Sequence, residues 1–495
     1  MNSATATPGA GGGTFVGQPR GLATLFFTEM WERFTYYGMR AVLILFLVGA
    51  VNTGGFGFDD QTASSIYGLY ICATYVFSLL GGWIADRLIG PQRAVIAGSI
   101  LIFAGNALLA VGVGQREVFF VGLLVIVLGV GLLKPNISVM VAHLYPEGGS
   151  RRDAGFSIFY TGISVGAVLG SFLVSLCAAR YGWRAGFTLP ALGMLLGLSY
   201  FLLTRQRLAH SDIAVPRHTR AWLPVIILVL AVTLLTGLAI TGHITIDPAA
   251  VSDAASWLLG LLAAGYFLYL LVFAGLSAAE RRRVYVMMAL FIAYALFYAG
   301  FEQGGASMNL FAERYTDRRL FGWSFPAGIL QGATALYTIL LAPAFAALWL
   351  FLGKRGKDLS PPAKFATGLA LLSVGTLVMV LPSQSVAAGH KVLPVWLLVT
   401  FLLQECGDLC LSPVGLSSMT KLAPPRYVSQ VMGVWFLALA LGNNLAGQLS
   451  REYDSANLDS LPALFLKIFW WTLGAALVLY CVAPRLARLM ENSRS

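Results

Sequence analysis

Long apolar runs recur from one end of this chain to the other, and each is long enough to cross a bilayer as a helix. The sequence contains fourteen, with boundaries defined to within a few residues. They lie at 22–50, 62–85, 93–113, 117–145, 153–179, 184–204, 221–241, 254–276, 283–304, 324–352, 363–382, 392–421, 428–449 and 461–484. Only 11% of the residues are charged, whereas soluble proteins carry about 25%. Because lipid offers no partners to the backbone, these runs predict an all-α polytopic membrane protein.

Basic residues concentrate in alternate loops, for example Arg87 with Arg93, and the three arginines at 281–283. The intervening loops are mostly poorer in positive charge, although the loop after the ninth run carries three arginines beside two acids. The positive-inside rule therefore predicts that the basic loops lie in the cytoplasm. With an even number of helices, both termini are also predicted to lie in the cytoplasm. The expected location is the cell (inner) membrane, which the protein crosses many times. The net charge of +11 is thus explained by loops and does not indicate a nucleic-acid partner.

The runs divide into two sets of six around a pair without a recognisable motif. Residues 1–19 are rich in Gly, Ala, Ser and Thr, lack the apolar stretch of a signal peptide, and are predicted to be a disordered tail. Residues 20–205 and 282–495 are predicted to form the two six-helix bundles. Residues 206–281 provide an Arg-rich connector and two extra helices. Two bundles around a site at the middle of the bilayer are a common plan in transporters.

The first apolar run carries an unusual stripe of charged and aromatic side chains. Its members fall three, four, seven, eight and eleven positions after the first, which places them on one helical face. They are Glu29, Glu32, Arg33, Tyr36, Tyr37 and Arg40. Each charge costs about 2.5–3.5 kcal/mol in mid-bilayer, so the stripe requires partners or a watery cavity. Carboxylates beside a cation in such a cavity are suited to carry protons. The alternative is an ion-paired helix end at the membrane interface.

Four further charged residues fall inside or at the end of apolar runs. Lys134 could neutralise the acids of the first helix or bind an anionic group of a substrate; a snorkelling lysine is the alternative. Glu302 is expected at the same level as Arg40, where the two could form a pair. Glu405 and Asp408 are three residues apart and share a face of the twelfth run. The sequence thus predicts several ionised groups inside the bilayer.

Several motifs together resemble the proton-coupled oligopeptide transporter family, the peptide-transporter branch of the major facilitator superfamily. The superfamily's signature loop is matched by Gly81–Gly90 with Arg93. The family's own motifs are matched by ExxERFxYYGMR in Glu29–Arg40, GLLKPN at 131–136, FEQ at 301–303 with NLFA at 309–312, and LSPVGLS–TKLAP in Leu411–Pro424. The match covers nearly the whole chain, and bacterial members carry the same extra hairpin. The resemblance implies the major facilitator fold with 14 transmembrane helices.

The resemblance also implies roles for matching positions. Those expected to couple protons are Glu29, Glu32, Arg33, Lys134 and Glu302. Those expected to form the substrate pocket are Arg40, Tyr36, Tyr37, Tyr75, Lys134, Ser164, Glu302, Thr334, Asp408, Trp435 and Phe436. Arg40 and Lys134 would receive the peptide carboxylate, and Asp408 the amino terminus. Arg40 with Glu302 would form the outer gate, and Lys134 with Asp408 the inner gate. No metal or cofactor is implied.

Four sites depart from the family pattern, all of them expected in the substrate pocket. The family usually has Glu at Asp408, Asn at Ser164, Asn-Pro at 334–335, and a small hydroxyl residue at Leu439. The proton motif is intact, so these changes bear on specificity rather than on proton coupling. Glu405 could partly compensate for the shorter Asp408, or it could be a packing or lipid-edge residue.

The leading hypothesis is a proton-coupled symporter that imports di- and tripeptides by alternating access. The alternative is a symporter of another small solute on the same fold, such as an amino acid, nitrate or a modified peptide. An enzyme or ATP-driven pump is not indicated, because the chain lacks a phosphate-binding loop, a nucleophile elbow and a His/Cys metal set. The five cysteines lie in apolar segments and are predicted to be core residues. The expected partners are short peptides, protons and lipid, with the protein a monomer.

Overall fold

A computed structural model describes residues 14–145, 149–211, 222–320, 322–455 and 457–491. These residues are helical almost throughout. The α-helices are α1 (Arg20–Val48), α2 (Asp60–Ile84), α3 (Pro91–Val111), α4 (Arg116–His143), α5 (Gly149–Tyr181), α6 (Trp183–Thr204), α7 (Trp222–Ile240), α8 (Pro248–Val272), α9 (Ala278–Phe301), α10 (Ser307–Tyr315), α11 (Gly332–Lys354), α12 (Pro361–Val378), α13 (Val380–Ala387), α14 (Val395–Leu422), α15 (Val428–Ser450) and α16 (Ser460–Glu491).

The sixteen α-helices of the described residues group into fourteen segments, because two short helices extend longer neighbours. A 3₁₀ turn at Glu302–Gly305 leads from α9 into α10, and α13 follows α12 after a single residue. Eleven helical segments of the described chain are long and apolar enough to cross a membrane. The helix α1 has sufficient length as well, but it carries the charged stripe. The predicted all-α polytopic membrane fold is confirmed.

The start of the described chain differs from the prediction of a disordered tail. The strands β1 (Thr14–Phe15) and β2 (Gln18–Pro19) form a small antiparallel hairpin immediately before α1. The Phe15 ring lies 5.6 Å from that of Phe26, so an apolar contact holds the hairpin against the helix. A second hairpin joins β3 (Arg319–Leu320) and β4 (Trp323–Ser324). Residues 1–13 of the predicted tail and 212–221 of the connector lie outside the described residues.

Each half of the chain packs mainly on itself. In the first half α1 lies against α5 and α6, and α3 lies against α4 and α6. In the second half α12 lies against α14 and α16, and α9 lies against α15 and α16. The halves meet where α2 contacts α15 and where α5 contacts α11. Gly68 and Gly447 allow the first of these contacts, since a Cβ on Gly68 would lie 2.8 Å from the Gly447 Cα.

The halves are joined more extensively at one end of the bundle. We name this the Asp60 end, after the first residue of α2, and the opposite end the Arg87 end, after the turn that follows α2. At the Asp60 end a buried apolar cluster runs from the first half into the second, through residues such as Phe46, Phe311 and Phe465. Toward the Arg87 end the second half has a separate cluster. A central cavity between the halves is therefore sealed more firmly at the Asp60 end.

Candidate functional site

The stripe on α1 faces the protein interior rather than lipid. Glu29, Glu32 and Arg33 are all buried, with Glu32 fully excluded from solvent. Arg33 Nε lies 3.0 Å from Glu29 Oε1, four residues earlier on the same face, and it also pairs with Glu32. The Arg33 guanidinium lies 5.1 Å from the centre of the Tyr36 ring. Two carboxylates thus share one cation, and the uptake of a proton would neutralise the excess negative charge.

This network leaves some of its hydrogen-bonding capacity unused. Within the described residues, three of its buried polar atoms have no hydrogen-bond partner: Glu29 Oε2, Glu32 Oε1 and Arg33 Nη2. A buried unsatisfied polar atom costs about 1–3 kcal/mol. A proton on one of the carboxylates would add a donor to a network that is rich in acceptors.

A second ion pair links the two halves. Arg40, on α1, pairs with Glu302, at the start of the 3₁₀ turn after α9, and both side chains are buried. Arg40 Nε also donates a hydrogen bond of 2.7 Å to the Tyr67 hydroxyl on α2. One guanidinium thereby connects α1, α2 and the beginning of the second half near the Asp60 end.

A cavity of about 220 Å³ lies next to this pair, between the halves. Both halves contribute to its wall. The first half supplies Tyr37, Arg40, Tyr75, Tyr160, Ile163, Ser164 and Ala167. The second half supplies Tyr298, Phe301, Glu302, Gly304, Gln331, Thr334, Ala335, Thr338, Phe401, Glu405 and Asp408. The cavity is therefore polar, aromatic and charged on both sides.

The acids of α14 are held by hydroxyl groups rather than by cations. Asp408 Oδ1 accepts hydrogen bonds from Tyr298 (3.0 Å) and Ser412 (2.5 Å). Glu405 Oε1 accepts one of 2.6 Å from Thr338 on α11. Neither acid forms an ion pair with any residue that the structure describes. Both carboxylates are thus available to a positively charged group in the cavity.

Lys134 lies against an aromatic ring in this structure. Its Nζ lies 4.0 Å from the centre of the Tyr75 ring, and it makes no ion pair within the described ranges. Arg33 neutralises the acids of α1 instead, because its place on the same helix brings it within reach of both. The pair expected between Lys134 and Asp408 is not formed in this conformation.

Seven of the eleven predicted pocket residues line the cavity: Tyr37, Arg40, Tyr75, Ser164, Glu302, Thr334 and Asp408. Four do not. Tyr36 lies beside Arg33, and Lys134 lies behind Tyr75. Trp435 is buried with its ring stacked 4.0 Å from that of Tyr294, and Phe436 packs against the same apolar cluster.

Leu439 also differs from expectation. It is buried in the apolar cluster of the second half and does not line the cavity, as Trp435 does not, because the face of α15 that carries them packs into that half. The unusual residues that do border the cavity are Ser164, Thr334, Ala335 and Asp408. The departures that bear directly on the cavity are therefore fewer than the sequence suggested.

Sequence reasoning missed several lining residues that helical spacing could have found. Each lies three or four positions from a lining residue that was predicted or weighed. Tyr160 precedes Ser164, Tyr298 precedes Glu302, Gln331 precedes Thr334, Thr338 follows Thr334, and Phe401 precedes Glu405. Extending each predicted residue by one helical turn would have completed much of the wall. Within the described residues no group of His, Cys, Asp or Glu is arranged to hold a metal ion.

Comparison with protein families matches residues 92–464 to the model of the POT family. The chain is 39% identical to peptide transporter YePEPT of Yersinia enterocolitica, over 100% of this chain and 99% of the relative. It is 35% identical to a di-/tripeptide transporter of Lactococcus lactis, over 90% of this chain and 91% of the relative.

Solved structures give the same result for the fold. A crystal structure of peptide transporter POT in complex with sulfate superposes with a TM-score of 0.90 at 38% identity, covering 97% of each chain. A variant of that transporter in complex with alafosfalin gives 0.89 at 38% identity, again over 97% of each chain. A POT family transporter in complex with 5-aminolevulinic acid gives 0.87 at 32% identity, covering 95% of this chain and 98% of the other.

Proposed function

The chain belongs to the POT family, and from this premise we propose that it is a proton-coupled symporter that imports di- and tripeptides by alternating access. The observation that carries the proposal is the asymmetry of the central cavity. Arg40 and Glu302 pair across its Asp60 end, whereas Lys134 and Asp408 are unpaired with each other. This is the arrangement expected of a transporter that is closed on one side and open on the other.

The substrate roles follow from the charges around the cavity. The peptide carboxylate binds to Arg40 and Lys134 in the first half, and the amino terminus binds to Asp408 in the second. Tyr298 and Ser412 already orient the Asp408 carboxylate for this task. A short peptide with free ends would bridge the two halves, so its binding favours the conformation in which both sides contact it.

Protons enter through the carboxylates of the two ion-paired networks. Glu29 and Glu32 share Arg33, and a proton on either leaves the other fully paired. A proton on Glu302 removes the negative charge that holds Arg40, so the guanidinium becomes free to bind the substrate and the Asp60 end can open. Proton uptake and substrate binding are thereby coupled through the same arginine.

The two bundles are residues 20–205 and 282–495, with residues 206–281 between them. Both termini lie in the cytoplasm, which makes the Asp60 end the outer end of the protein. The protein resides in the bacterial inner membrane. It functions as a monomer, because the two bundles of one chain enclose a complete cavity between them.

The substitution Glu32→Gln tests the proposal. In proteoliposomes we expect it to abolish peptide uptake driven by a pH gradient, while exchange of labelled for unlabelled peptide without a gradient persists. Glu117→Gln is the matched control, because Glu117 is an exposed carboxylate at the start of α4, outside the network. Gradient-driven uptake by Glu32→Gln at the wild-type rate would show that Glu32 does not couple protons.

One observation favours a second candidate, a symporter of another small solute such as an amino acid, nitrate or a modified peptide. Ser164, Thr334 and Ala335 replace the usual residues in the cavity wall, and a family relative binds 5-aminolevulinic acid. A competition panel against a labelled solute separates the candidates. Inhibition by dialanine and trialanine supports peptides, and its absence supports the second candidate.

A further inference from the structure

Glu405 is a buried acid of the cavity wall to which the transport scheme above gives no task. It is 3% exposed and lies on α14, three residues before Asp408. Its Oε1 accepts the hydrogen bond from Thr338, while Oε2 has no hydrogen-bond partner within the described residues. The side chain is therefore positioned by α11 and still has one oxygen to offer to the cavity.

The charges of the cavity wall do not balance. Among the described residues, its lining contains one basic side chain, Arg40, and three acidic ones, Glu302, Glu405 and Asp408. Arg40 is engaged by Glu302. Two acids thus remain without a cation, and ionised carboxylates are costly in a buried site unless they are paired. A zwitterionic peptide brings one ammonium group, which accounts for only one of them.

We propose that Glu405 forms a subsite for a second positive charge, so that the cavity prefers peptides with a cationic side chain. This inference rests on the proposed peptide transport and specifies its substrate class. Asp408 binds the amino terminus, and Glu405 binds the side-chain ammonium or guanidinium. Three residues correspond to about 4.5 Å of rise along the helix axis, so both residues are on neighbouring turns of one face, within the span of the amino terminus and side chain of one lysine residue.

The surroundings of Glu405 suit a long cationic side chain. Phe401, one turn earlier on α14, also lines the cavity and offers an apolar surface for the methylene groups of lysine or arginine. Thr338 fixes the Glu405 carboxylate through one oxygen. A neutral side chain of equal length would make the apolar contact with Phe401 but not the charged hydrogen bond to Glu405.

The test compares two dipeptides that differ in one charge. Full-length protein in proteoliposomes exchanges labelled dialanine without a pH gradient, and unlabelled lysyl-alanine or norleucyl-alanine competes. We expect lysyl-alanine to compete about tenfold more strongly in the wild type, the scale of one charged hydrogen bond. In Glu405→Gln this ratio should fall to about one, while Glu405→Asp should retain part of it. A ratio is unaffected by a general change in rate.

Glu452→Gln is the control, because Glu452 is an exposed acid beyond α15, paired with Lys467 and remote from the cavity lining; it should keep the wild-type ratio. Equal competition by the two dipeptides in the wild type would overturn the inference without any variant. So would a Glu405→Gln protein that keeps the ratio but loses gradient-driven uptake, since Glu405 would then carry a proton. Failure of the wild type to exchange dialanine would instead overturn the proposed peptide transport on which the inference rests.

Discussion

Arg40 contacts two buried side chains on different elements, one through an ion pair and the other through a hydrogen bond. Glu302 neutralises the guanidinium from the second half, while the Tyr67 hydroxyl on α2 accepts the hydrogen bond of Nε. When Glu302 is protonated, the hydrogen bond to Tyr67 remains. We therefore expect Tyr67 to hold Arg40 in position while the ion pair opens.

The substitution Tyr67→Phe tests this role at the residue scale. It leaves the buried Nε of Arg40 without an acceptor, which costs about 1–3 kcal/mol for a neutral group and more for a charged one, so the apparent melting temperature in detergent should fall. Tyr70→Phe is a matched control one turn later on α2, because the Tyr70 hydroxyl has no partner within the described chain. A Tyr67→Phe protein as stable as Tyr70→Phe would contradict the prediction.

The residues of the site differ in how far the sequence reveals them. The α1 stripe could be predicted because its spacing is local and its charges are costly in lipid. Glu302 could be placed near Arg40 from the topology alone. Tyr67 and Thr338 could not be identified as partners, since their contacts depend on how α2 and α11 rotate against distant helices. The contact of Lys134 with the Tyr75 ring could not be identified either, for the same reason.

At the scale of elements, a polar seam fastens α8 to the second half. Asn444 Nδ2, on α15, donates to the Ser252 carbonyl (2.6 Å) and to the Ser256 hydroxyl (2.8 Å), and Ser252 Oγ donates to Asn444 Oδ1 (3.1 Å). Arg451 at the end of α15 pairs with Asp253. These contacts link α8 to α15, so we expect the pair of extra helices, α7 and α8, to move with the second half.

The substitution Asn444→Leu tests the seam, because it keeps the approximate size of the side chain and removes these three hydrogen bonds between helices. Such bonds contribute about 0.6 kcal/mol each in membrane proteins, so α8 should loosen without unfolding. Cys72 reports the change, since it is buried in a small cluster with Leu259 of α8 and Ala440 of α15. With the other cysteines replaced, a membrane-permeant maleimide should label Cys72 faster.

Asn443→Leu provides the comparison for this experiment. The Asn443 side chain donates only to the Leu439 carbonyl of its own helix, so it makes no hydrogen bond to α8 in the described residues. Its labelling rate should match that of the wild type. Equal rates in the Asn443 and Asn444 variants would mean that the hydrogen bonds of Asn444 are not needed to hold α8, and that the contacts of Gln448 and Arg451 suffice.

The positions of the helices along the chain were more predictable than the helices that each of them contacts. Apolar length predicted fourteen segments and the described residues form fourteen, because length is the property that lipid imposes directly. The seventh and eighth runs carry no recognisable motif, yet Ser252 and Ser256 lie four residues apart and form one polar face of α8. That spacing was visible in the sequence, but nothing local identified α15 as the helix it faces.

At the scale of the whole molecule, polar contacts between the halves gather at the Asp60 end. Arg314 makes two hydrogen bonds to Asp60 (2.7 and 2.8 Å), and the Ser455 hydroxyl donates a third (2.8 Å). Asn309 donates to the Ala41 carbonyl (3.0 Å). Two ion pairs between the halves, Arg40–Glu302 and Arg314–Asp60, lie at this end. Opening the Asp60 end therefore requires breaking several polar contacts together.

Because Asp60 is the shared acceptor of this cluster, Asp60→Asn should shift the population toward molecules that are open at the Asp60 end. The two-pronged ion pair with Arg314 becomes a weaker neutral contact, while α2 keeps its cap from Asp59. Spin labels at the exposed positions Val51 and Leu393, one in each half, report the separation. Asp59→Asn removes the same charge from the neighbouring position, whose side chain accepts hydrogen bonds from Thr62 of the helix that it caps, so it should leave the distance distribution unchanged. An Asp60→Asn distribution identical to that of Asp59→Asn would mean that the Arg40–Glu302 pair and the apolar cluster suffice to keep this end closed.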